Sequence, residues 1–185
     1  MKSFIFKTAV VLSFLFFISA YAGFHLADEF PQIKEMLERF FSQFKGYIED
    51  PPMFMAILLA NNAGKSFVAM IGGFFFGILP VAFILINGFI VGIVVSFTQP
   101  ELGSQTVLLA ILPHGVFEIT GVIIACSYGV WLGVRFYYSL FRGEEFLPYL
   151  KEALYAYFRI VLPLLILAAF IEAFITPALV KGYIT

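Results

Sequence analysis

The chain is 185 residues long, 62% hydrophobic and 12% charged, with net charge −1 and a mean hydropathy of +0.99. A soluble domain carries roughly twice that charged fraction, and a core of this size cannot hide 25 Phe and 9 Tyr. These figures exclude a soluble enzyme, a disordered chain and a nucleic-acid binder; the single Cys126 excludes an intrachain disulfide scaffold. What remains is an all-α integral membrane protein, a polytopic transmembrane helix bundle forming one domain over 1–185.

The 23 charges cluster: two in residues 1–24, nine in 25–50, three in 51–134, seven in 135–160 and two thereafter. A bilayer needs about 20 apolar residues per helix, so the charge-poor stretches predict five spans near 4–24, 53–74, 76–98, 106–134 and 153–179. The first has a rival reading, since Lys2, Lys7 and Ala20-Tyr21-Ala22 also suit a cleaved secretory signal. Its apolar run of nearly 19 residues exceeds the usual 7–15 of a signal core, which favours a retained helix.

Between the first two spans, residues 28–49 place Ile33, Met36, Leu37, Phe40, Phe41, Phe44, Tyr47 and Ile48 at helical spacing with charges opposite. Pro31 suits a first turn, and Gly46 with Pro51-Pro52 ends the run. This predicts an external amphipathic helix, lying on the membrane or offering a face to a partner or a second copy.

The spans 53–74 and 106–134 predict irregular helices, broken or re-entrant. The first holds Asn61, Asn62 and Lys65 and must turn near Gly72-Gly73 or Gly77; the second is too long for one span and contains Pro113. Gly121, Gly129 and Gly133 read as a close-packing face. Lys2 and Lys7 before the first span, and Arg135, Arg142, Lys151 and Arg159 around the last connection, place the N-terminus in the cytoplasm and the C-terminus outside. Trp131, Tyr137, Tyr138, Tyr149, Tyr155 and Tyr157 predict an aromatic belt at the inner interface.

Lys65, His114, Glu118 and Glu172 are ionisable groups inside spans, accompanied by Asn61, Asn62 and Asn87. Counting about 1.5 Å per residue from the outer span ends, His114 lies about 12 Å deep, Glu118 about 18 Å and Glu172 about 10 Å. On the same rise Asn61 and Asn62 lie at about 12–14 Å, Asn87 at about 16 Å and Lys65 at about 18 Å. Groups from four spans therefore share one layer. His114 and Glu118, four apart, share a helix face. With Glu172 they can supply one nitrogen and two carboxylates to a divalent metal or a proton. The alternative is structural: Lys65 pairs with Glu118 or Glu172, and polar contacts hold the bundle together.

No H-E-x-x-H, G-x-S-x-G or phosphate-loop motif is present, so an enzyme is not indicated beyond a distant intramembrane metal-dependent hydrolase. No cofactor is required by the sequence; a divalent ion is the one candidate.

Asn61-Asn62, Pro80 with Asn87-Gly88 and Gly92, and Leu112-Pro113-His114-Gly115 with Glu118 resemble the stage II sporulation protein M family, as does Ala168-Ala169-Phe170-Ile171-Glu172-Ala173-Phe174-Ile175-Thr176-Pro177. The match covers most of the chain, and the Pro-His-Gly element with its Glu is its more specific part. The family's motif residues map onto Asn61, Asn62, Asn87, His114, Glu118 and Glu172; Lys65 is less clearly among them. The resemblance implies a membrane scaffold or organiser, as in spore formers, where the founding member recruits peptidoglycan-degrading partners during engulfment. Relatives are widespread in organisms that do not sporulate, so sporulation itself is not implied. The expected partners are the lipid bilayer and either a second copy or other membrane proteins. The rival class is a small transporter or channel-like protein using His114, Glu118 and Glu172.

Overall fold

A computed structural model describes residues 1–44 and 49–181. The described residues are helical throughout, without strands: α1 (Lys2–Leu26), α2 (Pro31–Phe44), α3 (Pro51–Ile71), α4 (Ile78–Leu102), α5 (Ser104–Arg142), α6 (Leu147–Ala156), α7 (Leu162–Phe170) and α8 (Thr176–Lys181). The last three form one interrupted rod, joined by π-helical segments at Tyr157–Val161 and Ile171–Ile175. Five helices are long and apolar enough to cross a membrane: Lys2–Glu29, Pro51–Phe74, Ile78–Leu102, Ser104–Arg142 and Leu147–Val180. The chain is a membrane protein. Large apolar side chains such as Phe6, Phe14 and Phe17 stand exposed along α1, a surface that only lipid or another apolar partner can cover.

The amphipathic segment is helical over Pro31–Phe44 and opens on Pro31. The expected continuation through Gly46, Tyr47 and Ile48 lies outside the described residues. Its start is tied to α4: Phe30 meets Phe89 edge-on at 5.7 Å, and the Lys34 ammonium lies 4.8 Å from the Phe97 ring centroid.

α5 is the hub, packing on α1, α3, α4 and the interrupted rod. At 39 residues it extends about 58 Å, nearly twice a hydrocarbon core of about 30 Å. Contrary to expectation it is one continuous helix through Pro113, and α3 is likewise regular through Asn61, Asn62 and Lys65. The irregularity sits in the last span instead. Pro163 and Pro177 each follow the first residue of a π segment by six positions. A helical proline lacks an N–H and crowds the carbonyl four residues back. An extra residue in the preceding turn moves that carbonyl aside, and the segments close with i to i−5 bonds from Leu162 to Tyr157 and from Thr176 to Ile171.

The α3–α4 turn is as tight as the glycines suggested. Gly77 has φ +78°, a left-handed value that disfavours any side chain there. Gly129 and Gly133 close onto this turn: a Cβ at Gly129 would lie 2.6 Å from Pro80 Cγ, and one at Gly133 would strike the Gly77 nitrogen. α1 and α4 form the most extensive helix pair. Their backbones approach so closely that a methyl on Gly92 would overlap the Ala20 carbonyl oxygen. On α3, by contrast, a Cβ at Gly64 meets nothing within 4 Å.

These two glycines make a paired test of the packing. Gly92→Ala should destabilise the bundle by about 2 kcal/mol or more, because backbone atoms must separate. Gly64→Ala should be neutral or stabilise by about 0.5–1 kcal/mol through helix propensity. Thermal unfolding of the purified protein in detergent reads the difference; equal effects would contradict this packing.

Candidate intramembrane cation site

His114 and Glu118 stand one turn apart on α5, and Glu172 lies within the second π segment. The His114 Nε2 is 4.0 Å from a Glu172 carboxylate oxygen. One ligating atom from each of His114, Glu118 and Glu172 lies within 4.8 Å of the other two. The His114 and Glu172 side chains are only 14% and 26% exposed. Donors around a single divalent ion at about 2.1 Å sit roughly 3.4 Å apart, so a small side-chain adjustment closes the set. The buried His114 Nδ1 has no hydrogen-bond partner among the described residues.

The other expected site residues divide. Lys65, on α3, acts electrostatically on Glu118, and Glu118 acts on Glu172. The Asn61 amide donates to the Asn62 side-chain oxygen at 3.1 Å, so these neighbours satisfy each other along α3. Asn61 and Lys65 also line an open cleft of about 470 Å³ between α3 and α4, with Gly64 and Phe83. Asn87 donates to the Phe83 carbonyl at 2.7 Å, one turn back on its own helix. Three of the seven residues thus converge, a fourth reaches them through charge, and the asparagines bond locally.

A polar contact that the sequence reading missed fastens the rod to α3. The Tyr157 hydroxyl donates to the Ala63 carbonyl at 2.6 Å and lies 3.2 Å from the Ser66 hydroxyl. Ser66 is fully buried and itself donates to Ala63 at 3.1 Å. Tyr157 was expected in the aromatic belt but is 3% exposed, and Trp131 is 2% exposed; both belong to the core. Tyrosine reads alike in a belt and in a core until its hydroxyl partner is known. The available signal was Tyr157 six residues before Pro163. Three of the four remaining tyrosines carry a guanidinium over the ring: Arg142 at 4.7 Å from Tyr138, Arg135 at 4.6 Å from Tyr149 and Arg159 at 5.4 Å from Tyr155; Tyr137 packs on Phe141 at 4.7 Å.

The model of the stage II sporulation protein M family matches residues 11–177. The chain belongs to this family. The match takes in the whole triad, from His114 to Glu172, and both π segments. An uncharacterised protein of Methanocaldococcus jannaschii is 32% identical over 135 residues, covering 69% of this chain and 74% of the relative. A second uncharacterised protein from the same organism is 26% identical over 189 residues, covering 97% and 81%. No solved structure matches. For this family member, the residues carrying the Pro-His-Gly-x-x-Glu resemblance are the α5 half of the convergent triad.

The hydroxyl contact has a measurable weight. Tyr157→Phe leaves Ser66 without its cross-helix partner and should cost about 1–2 kcal/mol of stability. Cation content should not change, because Tyr157 lies on a different π segment from Glu172. A thermal midpoint equal to wild type would contradict the role assigned to this bond.

Proposed function

We propose that this membrane protein binds a divalent cation between α5 and the last helical rod, held by His114, Glu118 and Glu172. The convergence of three ligand-type atoms within 4.8 Å carries the reading. Two carboxylates this close in a low-dielectric interior repel each other unless a cation or a proton sits with them. Lys65 supplies one positive charge towards Glu118, which leaves the pair short of neutrality. A mixed imidazole and carboxylate set suits first-row divalent ions and magnesium-like ions better than a monovalent one. Binding, rather than turnover of a substrate, is the activity this geometry supports.

Elemental analysis of protein purified from membranes tests it directly. Wild type should carry about one divalent ion per chain, and Glu118→Gln and Glu172→Gln, which keep side-chain shape, should each lose it while remaining folded. Full retention in both variants would sink the proposal.

A second reading is a scaffold that organises other membrane proteins. It draws on the uncovered apolar face of α1 and on the amphipathic α2. Under it the triad is structural: wild type carries no metal, and the same two substitutions lower thermal stability and partner co-purification.

The orientation that goes with either reading puts the N-terminus in the cytoplasm and the α4–α5 turn outside. Native Cys126 is fully buried and will not interfere with labelling. With a membrane-impermeant maleimide, Glu101→Cys should label in intact cells, and Glu145→Cys only after permeabilisation. The opposite pattern would invert the topology.

A further inference from the structure

The second π segment has a consequence beyond the placement of Glu172. Its closing bond runs from the Thr176 N–H to the Ile171 carbonyl. The Glu172 carbonyl would next accept from residue 176 or 177. The first N–H is engaged with Ile171, and the second belongs to Pro177, which has none. The ordinary helical donors to that carbonyl are thereby engaged or missing on the turn that carries the Glu172 side chain.

Thr176 does not fill that gap. Four hydroxyl groups elsewhere in the spans bond back along their own helix: Ser13 to Ala9, Thr98 to Val94, Thr120 to Val116 and Ser127 to Ile123, at 2.6–2.8 Å. Ser19 reaches across to the Leu85 carbonyl instead. The Thr176 Oγ1 is buried with no partner among the described residues, on a residue that is 9% exposed. Helical side chains lean over the turn that precedes them, and Thr176 follows Glu172 by four residues on the rod. α8 packs against α5. Because α5 and the rod run antiparallel, position 176 falls on the His114 side of Glu172. Two orphaned polar atoms, His114 Nδ1 and Thr176 Oγ1, thus stand on α5 and on the rod, the two elements that carry the triad.

We propose that the Thr176 hydroxyl is a fourth protein donor of this site, making it oxygen-rich and suited to a hard divalent cation of the magnesium–manganese class. The proposal rests on the reading of His114, Glu118 and Glu172 given above. Zinc is satisfied by three nitrogen or oxygen ligands and a water, whereas manganese and magnesium favour about six mostly oxygen donors. Loss of one oxygen donor therefore weighs more on manganese than on zinc.

The test uses the full-length protein in lipid nanodiscs, dialysed against Mn²⁺ or Zn²⁺ and read by elemental analysis. Thr176→Val should weaken Mn²⁺ binding roughly tenfold or more, change Zn²⁺ binding far less, and be rescued by Thr176→Ser. Thr176→Ala repeats the measurement if the valine variant does not fold. Variants that bind both metals like wild type overturn the fourth-donor proposal and leave the three-residue site standing. Equal loss of both metals, with no rescue by serine, marks a packing role and overturns it too. A wild type that binds neither metal overturns the three-residue reading itself, and this proposal with it.

Discussion

Two carboxylates and an imidazole brought together inside an apolar bundle are the constraint on which the rest of this structure turns. In water such a cluster costs little; surrounded by lipid and side chains, each uncompensated charge costs several kcal/mol. Lys65 on α3 provides part of the compensation for Glu118, which couples a third helix to a site built from α5 and the rod. The helices that meet there cannot slide independently, because a one-residue shift would separate His114 from Glu172. Close glycine packing at Gly129 and Gly133 holds the α3–α4 turn against α5 in the same register.

The placement of Glu172 depends on a helix that is not regular. An α-helix turns about 100° per residue, so an inserted residue rotates everything beyond it. The two π segments, each six residues ahead of a proline, rotate the rod twice. The first begins at Tyr157, whose hydroxyl reaches Ala63 and Ser66 on α3; the second contains Glu172, whose carboxylate reaches His114 on α5. A strictly α-helical rod would aim these two side chains at different neighbours. The prolines thus set which partners the rod engages, and polar groups stand at both points where it departs from ideal geometry.

Much of the architecture was legible in the sequence because charge is so costly in a membrane that its distribution traces the spans. All five predicted stretches coincide with long apolar helices. His114, Glu118 and Glu172 converge, as an i, i+4 pair and a residue on an antiparallel neighbour of similar predicted depth can. Asn87 was placed in the same layer, yet its amide bonds to Phe83 on α4. Depth is a one-dimensional coordinate and says nothing about the direction in which a side chain faces around the bundle axis. The same limit hid Tyr157, whose partner Ser66 lies 91 positions away. Proline misled in the opposite sense. Pro113 suggested a break that the continuous α5 does not have, while Pro163 and Pro177 attracted no such expectation and mark the real departures.

The cation-site reading draws on the triad between α5 and the rod, and the scaffold reading on the apolar surface the bundle leaves uncovered. If an ion occupies the triad, its charge replaces carboxylate repulsion with attraction and draws the rod towards α5. Without an ion, Glu118 and Glu172 repel each other unless a proton sits with them, and Lys65 acts on Glu118. Cation occupancy would then alter how α8 and the rod sit on α5, and so the apolar surface offered to a neighbouring membrane protein. The two proposed roles would then meet on one element, the π segment at Ile171–Ile175 that carries Glu172.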